Sequence, residues 1–471
     1  MTRKTNNYEK HFALPRRQFL KQTLGAAALA PFILGLEKVA AAAVPQAADD
    51  YKALVCVFML GGNDATGTLL PLDAAQYNYY AAKRQTTDAA LDFVIPRDQI
   101  LPVNHNNPNS PAIGLHPNLS ALQSLYTQNK MAVLANVGPL LRPTTKTQFE
   151  NGTVPLPPNV FSHEDQILFW QTTTAGRPQN MTGWGGRMAD LLNSLNTNPQ
   201  VSMSISLSGD NYFQLAGTVA QFNCSPGNVG GLIEYDPVND AVYRRANNIW
   251  NRTESNPLAR TWSQKMRRAV DQVEFLRGKL AAPFQFATPF PQGQLGPQVK
   301  RVAELIALRD QLGVKRQIFF CGIGGFDTHD KQQNNHPYLI KQVGDSIAAL
   351  YNAVGELSGQ DPDIGKKITI FTASDFGRTL SINGAKGTDH GWGGHHFIVG
   401  GAVNGGRLYG TYPNVAPNSD DDSGDGRWIP TTSVDQYGAT LAKWFGVSQP
   451  DLNTVSPNLS YFAQTDLGFM K

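Results

Sequence analysis

Three cysteines in 471 residues are too few and too odd in number for a disulfide framework. Cys56 and Cys321 sit inside the apolar runs ALVCVFML and QIFFCGI, where thiols are expected to be buried. The chain also lacks an excess of one charge. Its 40 Lys and Arg are balanced by 37 Asp and Glu, a net charge of +3 with no basic stripe, which argues against nucleic acid as a partner. Beyond the N-terminal region no apolar run approaches the ~20 residues of a membrane-spanning helix. Internal repeats, coiled-coil heptads and Pro/Ser-rich linkers are absent, so solenoids and tethered domains are set aside. The acidic stretch NSDDDSGDGR (418–427) lacks the terminal Glu of an EF-hand and is expected to be a solvated loop.

What is present begins with PRRQFLK (Pro15 to Lys21), followed by the apolar TLGAAALAPFILGL and small residues around Ala40 to Ala43. The pair Arg16 and Arg17 before a short Gly/Ala-rich segment reads as a twin-arginine export signal over residues 1–43. The translocase of that pathway is then a partner, and a mature domain 44–471 is expected in the periplasm or outside the cell. Proteins exported this way typically fold first, often around a cofactor, which hints at a bound metal.

Short apolar runs alternate with helical patterns. ALVCVFML, MAVLANV, RQIFFCGI, KKITIFTA and HHFIVGGAV read as buried strands; PNLSALQSLY, HPYLIKQVGDSIAALYNAVGEL and VDQYGATLAKWFGV read as helices. Continuous apolar strands bounded by helices predict an α/β fold with a mostly parallel sheet covered on both faces. Residues near 195–300, with VSMSISLSG and the Pro/Gln-rich AAPFQFATPFPQGQLGPQ, read as an insertion or cap.

Ligands of such sheets belong at the carboxyl ends of the strands. There the sequence delivers Asn63 and Asp64 after ALVCVFMLGG, Asp327 and His329 in GGFDTHDKQ, Asp375 and Arg378 in TASDFGRT, and His390, His395 and His396 in GTDHGWGGHH. Carboxylate mixed with imidazole suits zinc, iron or manganese. Each group has a plainer alternative: Asp64 as a turn cap, Asp375 paired to Arg378, a histidine satisfied by backbone, Trp184 and Trp392 as packing.

The motifs GGND, FSHEDQ, TGWGGR, GGFDTH, SDFGRT and TDHGWGGHHFIVGG resemble an exported bacterial family known as domain of unknown function 1501, and the strand-end order resembles the alkaline phosphatase superfamily with its sulfatases. The resemblance implies a three-layer alkaline phosphatase-like fold, one or two divalent ions (zinc first; manganese, iron or calcium as alternatives), and in-line hydrolysis of phosphate or sulfate esters of small molecules or saccharides. Residue by residue, it implies that Asp64 and Asp375 hold one metal and that Asp327 and His390, joined by His329, hold the other. Ser162 in NVFSHEDQ matches the nucleophile, though it equally suits a helix N-cap. His163 either contacts the anion or completes the coordination; Arg378 and Asn63 bind the anion, with His395, His396 and Trp392 lining the substrate. Phe376 stands where the superfamily's TADHG strand end has a histidine, and Asp327 and His329 are two positions apart, not four. The rival expectation is a non-catalytic exported protein on the same scaffold that binds polysaccharide or serves assembly.

Overall fold

KALVCVFM carries no polar residue after Lys52, and in the computed structural model it forms β1 (Lys52–Met59), buried at every position but the first. The structure describes residues 51–86, 93–176, 178–179, 181–227, 241–252 and 254–471; the expected export segment with Arg16 and Arg17 lies outside them. β1 lies inside a nine-stranded sheet with β5 (Met131–Gly138), β6 (Ser204–Ser206), β7 (Phe222–Asn223), β8 (Arg316–Ile323), β9 (Ile368–Ser374), β12 (Gly394–Gly400), β13 (Arg407–Gly410) and β14 (Thr432–Ser433), in the order β13-β5-β12-β9-β1-β8-β6-β7 with β14 also on β5. Only β12 runs antiparallel to its neighbours; the other pairs are parallel. A small antiparallel sheet joins β2 (Leu69–Pro71), β3 (Leu101–Val103) and β4 (Ile113–Leu115), and β10 (Arg378–Ile382) with β11 (Thr388–His390) makes a two-stranded ribbon.

The main helices are α1 (Ala74–Arg84), α2 (Ser120–Thr127), α3 (His163–Thr172), α4 (Trp184–Leu192), α5 (Ala241–Trp250), α6 (Pro257–Lys279), α7 (Gly296–Ala307), α8 (Gln332–Gly355) and α9 (Val434–Phe445). Strand side chains alternate between sheet faces, and here each face has its own helix layer. Val55, Val57 and Met59 pack with Val302 and Ile306 of α7 and Ile347 and Leu350 of α8. Leu54, Cys56 and Phe58 pack with Met188 of α4 and Tyr437 and Leu441 of α9. The mixed α/β architecture with a mostly parallel sheet is thus as expected, and Cys56, Cys224 and Cys321 are buried free thiols.

Within residues 195–300, β6 and β7 extend the central sheet, with Ile205 opposite Phe319 of β8. A three-residue strand is decided by the edge it joins more than by its own pattern, and β8 offers that edge.

Candidate metal centre

Met59 lies level with Ile323 of β8 and Ser374 of β9, so three parallel strands release their following loops at one edge. The loops meet closely: a Cβ on Gly61, whose φ is +115°, would sit 2.3 Å from the Asp327 amide nitrogen. Asn63 bridges to Gly377. Onto this edge β11 delivers His390, opposite Arg378 in the ribbon, and α3 delivers His163 from its first position.

Four ligand-type atoms converge there. Asp327 Oδ1 lies 3.4 Å from His163 Nε2, 3.0 Å from His329 Nε2 and 3.5 Å from His390 Nε2, and the His329 and His390 Nε2 atoms are 2.9 Å apart. Donors around a tetrahedral zinc with ~2.0–2.1 Å bonds are separated by about 3.3 Å, close to these spacings. Among the described residues, ligand atoms of His163, Asp327 and His390 all fall within 4.8 Å of one another.

The protonation pattern sharpens the case. His390 Nδ1 lies 2.7 Å from the Phe161 carbonyl, which only accepts, so Nδ1 carries hydrogen and neutral His390 turns a lone pair inward from Nε2. His329 Nδ1 is held by Asp389 Oδ1 at 3.0 Å and His163 Nδ1 by Asp375 Oδ2 at 2.7 Å. All three rings therefore aim Nε2 at a carboxylate oxygen, and His163 Nε2 is buried without a hydrogen-bond partner. Three ring nitrogens crowded on one carboxylate oxygen, each ring held from behind, fit a divalent metal, with outer partners fixing each ring as in metal sites generally.

Burial and neighbouring charges shift these groups in different directions. Burial would raise the Asp327 carboxyl, but the Arg378 hydrogen bond and charge outweigh it and hold it below the usual range. Burial pushes His390 down, reinforced by the charges of His163 and Arg378. Burial also opposes charge on His163, yet Asp375 and Asp327 together raise it. Asp375, itself buried, is pushed up by desolvation. Asp327 and His329 remain 47% and 44% exposed, so the cluster opens to solvent.

Backbone strain marks the site. Phe161 has φ +82°, uncommon for a bulky residue, and its carbonyl is the one that fixes His390. Arg427 of the acidic loop binds the His390 carbonyl at 2.8 Å and lies over the Phe161 ring. That loop is internally bonded, with Asp422 Oδ1 accepting from Gly424 and Gly426.

Phe376 packs against the rings of both His163 and His390, 4.8 Å from each, while those two rings are 4.2 Å apart. The residue that departs from the superfamily motif is thus a wall for two histidines.

Other expected site residues lie elsewhere. Asp64 is 1% exposed, its Oδ1 bound by Gly67 and Arg84 and its Oδ2 by Arg84 and Gln332; a doubly saturated carboxylate is an ion-pair partner, not an open ligand. Asp375 is a hydrogen-bond partner of His163 and Gly61 and so stands behind the His163 ring. Arg378 is fully buried and spends its nitrogens on Thr388, Gly61 and Asp327, so it clamps the carboxylate instead of facing an anion.

Asn63 is buried and accepts from Thr68 and His336. His395 and His396 lie within β12, on opposite faces, stacked on Tyr412 and Tyr437, and burial pushes both down to about 3. Trp392 is buried against Phe149 and Leu140, its indole bonded to Pro139; Trp184 is likewise core. Ser162 holds the N-cap position of α3, but its hydroxyl makes no capping bond. Asp389 and Phe161 were missed. The TDH triplet could have pointed to Asp389, adjacent to a candidate ligand, whereas no sequence signal marks the Phe161 carbonyl.

The model of a family described as Protein of unknown function (DUF1501) matches residues 51–437, and the chain belongs to that family. A search of curated proteins found no match. Among solved structures, similarity extends to Ps i-CgsB in complex with k-i-k-neocarrahexaose, at 10% identity over 86% of this chain and 74% of that one with a TM-score of 0.35. PsFucS1 sulfatase from Pseudoalteromonas sp. shares 10% identity over 98% and 78% with a TM-score of 0.33. The soluble domain of lipooligosaccharide phosphoethanolamine transferase A from Neisseria meningitidis shares 8% over 91% and 96% with a TM-score of 0.31. At these scores the chemistry rests on this chain's own residues. No helix among the described residues is long and apolar enough to cross a membrane.

Proposed function

We propose that the protein is an exported, metal-dependent hydrolase of phosphate or sulfate esters, with His163, His329, His390 and Asp327 holding a divalent ion, zinc first among the candidates. The observation that carries this reading is the convergence of three imidazole Nε2 atoms on one Asp327 oxygen while every Nδ1 is tied behind. A divalent ion bound there supplies Lewis-acid polarisation of an ester oxygen and lowers the pKa of an attacking hydroxyl or water.

The chain's own groups do the rest. Asp375, Asp389 and the Phe161 carbonyl orient the three rings, Arg378 keeps Asp327 ionised and aimed, and Phe376 excludes water from one side. Ser162, next in sequence to His163 and free of a capping bond, is the proposed attacking group in an in-line displacement, the ester oxygen leaving on the opposite side.

The test is turnover of aryl phosphate and aryl sulfate by the purified full chain loaded with zinc, manganese or calcium. Activity in the wild type that disappears in His390→Ala and Ser162→Ala is expected. No turnover with any of these ions would remove the hydrolase; turnover that survives Ser162→Ala would remove only the serine.

A second reading, a non-catalytic polysaccharide-binding or assembly protein with a structural metal, is favoured by two observations. Arg378 is consumed internally, and a cavity of about 940 Å³ lies at the opposite strand edge, lined by Asn104, Asn106, Asn107, Arg407 and Tyr409. Amides beside an aromatic ring suit hydroxyl-rich ligands.

A further inference from the structure

The helical pair α5–α6 is chemically unlike the rest of the chain. Residues 241–279 carry nine Arg and Lys against three Asp and Glu, a net charge of +6, whereas the whole chain carries +3; everything else therefore sums to −3. The pair has only a small core of its own, Trp250 and Val270 packed with Tyr243, Ala246 and Met266. At the far end of α6, Leu276 and Leu280 root it in the main core. From Leu276 back to Leu258 is about 27 Å of helix at 1.5 Å per residue.

Large apolar side chains are left in solvent at that distant tip. Leu258 is 76% exposed, Trp262 53% and Ile249 46%. Leu258 and Trp262 are four residues apart, hence stacked on one helix face, and Lys265 continues that face. The start of α6 is tied by local hydrogen bonds. Asn256 caps α6 by accepting from Leu258 and Ala259, Pro257 occupies the first turn, and Arg260 binds the carbonyls of Glu254 and Ser255.

We infer that the α5–α6 tip docks on a membrane surface bearing anionic lipid headgroups, inserting Leu258, Trp262 and Ile249 among the acyl-chain ends while the surrounding Arg and Lys face the phosphates. Leu, Ile and Trp on a basic amphipathic helix are the components of interfacial binding. A soluble polyanion would use the charge but leave the apolar residues in water. A second copy would set +6 against +6, which repels. The inference does not depend on the hydrolase reading.

The experiment is co-sedimentation of the full chain with vesicles of phosphatidylglycerol and phosphatidylcholine in equal parts, against vesicles of phosphatidylcholine alone. Binding to the first and not the second, weakened by added salt, is expected. Leu258→Ser with Trp262→Ser should lower partitioning about tenfold, and Arg252→Glu with Lys265→Glu by a similar factor, with circular dichroism and melting unchanged because all four side chains are exposed. Failure to sediment with the anionic vesicles, equal binding to neutral ones, or binding unchanged in the serine variant would overturn the inference. So would a concentration-dependent dimer of the wild type that the serine variant abolishes.

Discussion

Two clusters of aspartate and histidine lie at the same sheet edge, and they are built on opposite principles. In one, Asp64 is buried with Arg84 and Gln332, and His336 and His116 stand nearby, driven neutral by burial to about 4 and about 3. In the other, Asp327 and three histidines face one another, partly open to solvent, with each Nε2 turned inward and each Nδ1 bonded outward. The first has both oxygens of its carboxylate bonded; the second leaves His163 Nε2 without a hydrogen-bond partner. They are joined: Gln332 donates to Asp64 and accepts from Thr328 and Thr388, and Arg378 runs from the Thr388 carbonyl to Asp327.

The sharpest way to break the comparison is to exchange the effects of substitutions in the two clusters. His390→Ala should abolish stoichiometric metal binding and lower any turnover by at least about a hundredfold, while leaving the unfolding midpoint of metal-free protein nearly unchanged. Asp64→Ala should do the reverse. Leaving Arg84 buried without its carboxylate costs about 3–5 kcal/mol in urea unfolding, while the folded fraction still binds metal. Asp389→Asn and Asp375→Asn, which keep shape but loosen the rings behind His329 and His163, should weaken metal affinity about 10- to 100-fold with the fold intact, as read by competition with a chelator.

The smallest effect is in pH. Burial opposes ionisation of Asp64, but Arg84 outweighs it and holds the carboxyl at about 2, below its ordinary 3.8. A depressed folded-state pKa stabilises the protein fully above the unfolded value and is lost as pH falls through the folded one. About 2 kcal/mol should therefore disappear between about pH 4 and pH 2, and Asp64→Asn should remove that part of the slope.

The strands were legible because β1, β5, β8 and β9 are apolar on both faces and only a doubly covered sheet accepts such runs. The strand-end location of Asp327 and His390 followed from the same pattern. The pairing of Asp64 with Arg84 was not legible because Arg84 lies twenty residues away on α1, and no local spacing links a strand-end acid to a helix-terminal guanidinium. His395 and His396 look like ligands in a Gly-rich loop, yet they open β12, where adjacent residues point to opposite faces and both enter the core. The Phe161 carbonyl acts through a backbone angle, which side-chain identity does not encode.

Metal content tests the central claim most directly. After reconstitution with zinc and desalting, elemental analysis of the purified full chain should find a single ion per chain, retained by Asp64→Ala protein that is still folded and lost by His390→Ala. Absence of bound metal in the wild type, or an ion that survives His390→Ala, would contradict the assignment of the His163, His329, His390 and Asp327 cluster as a metal centre.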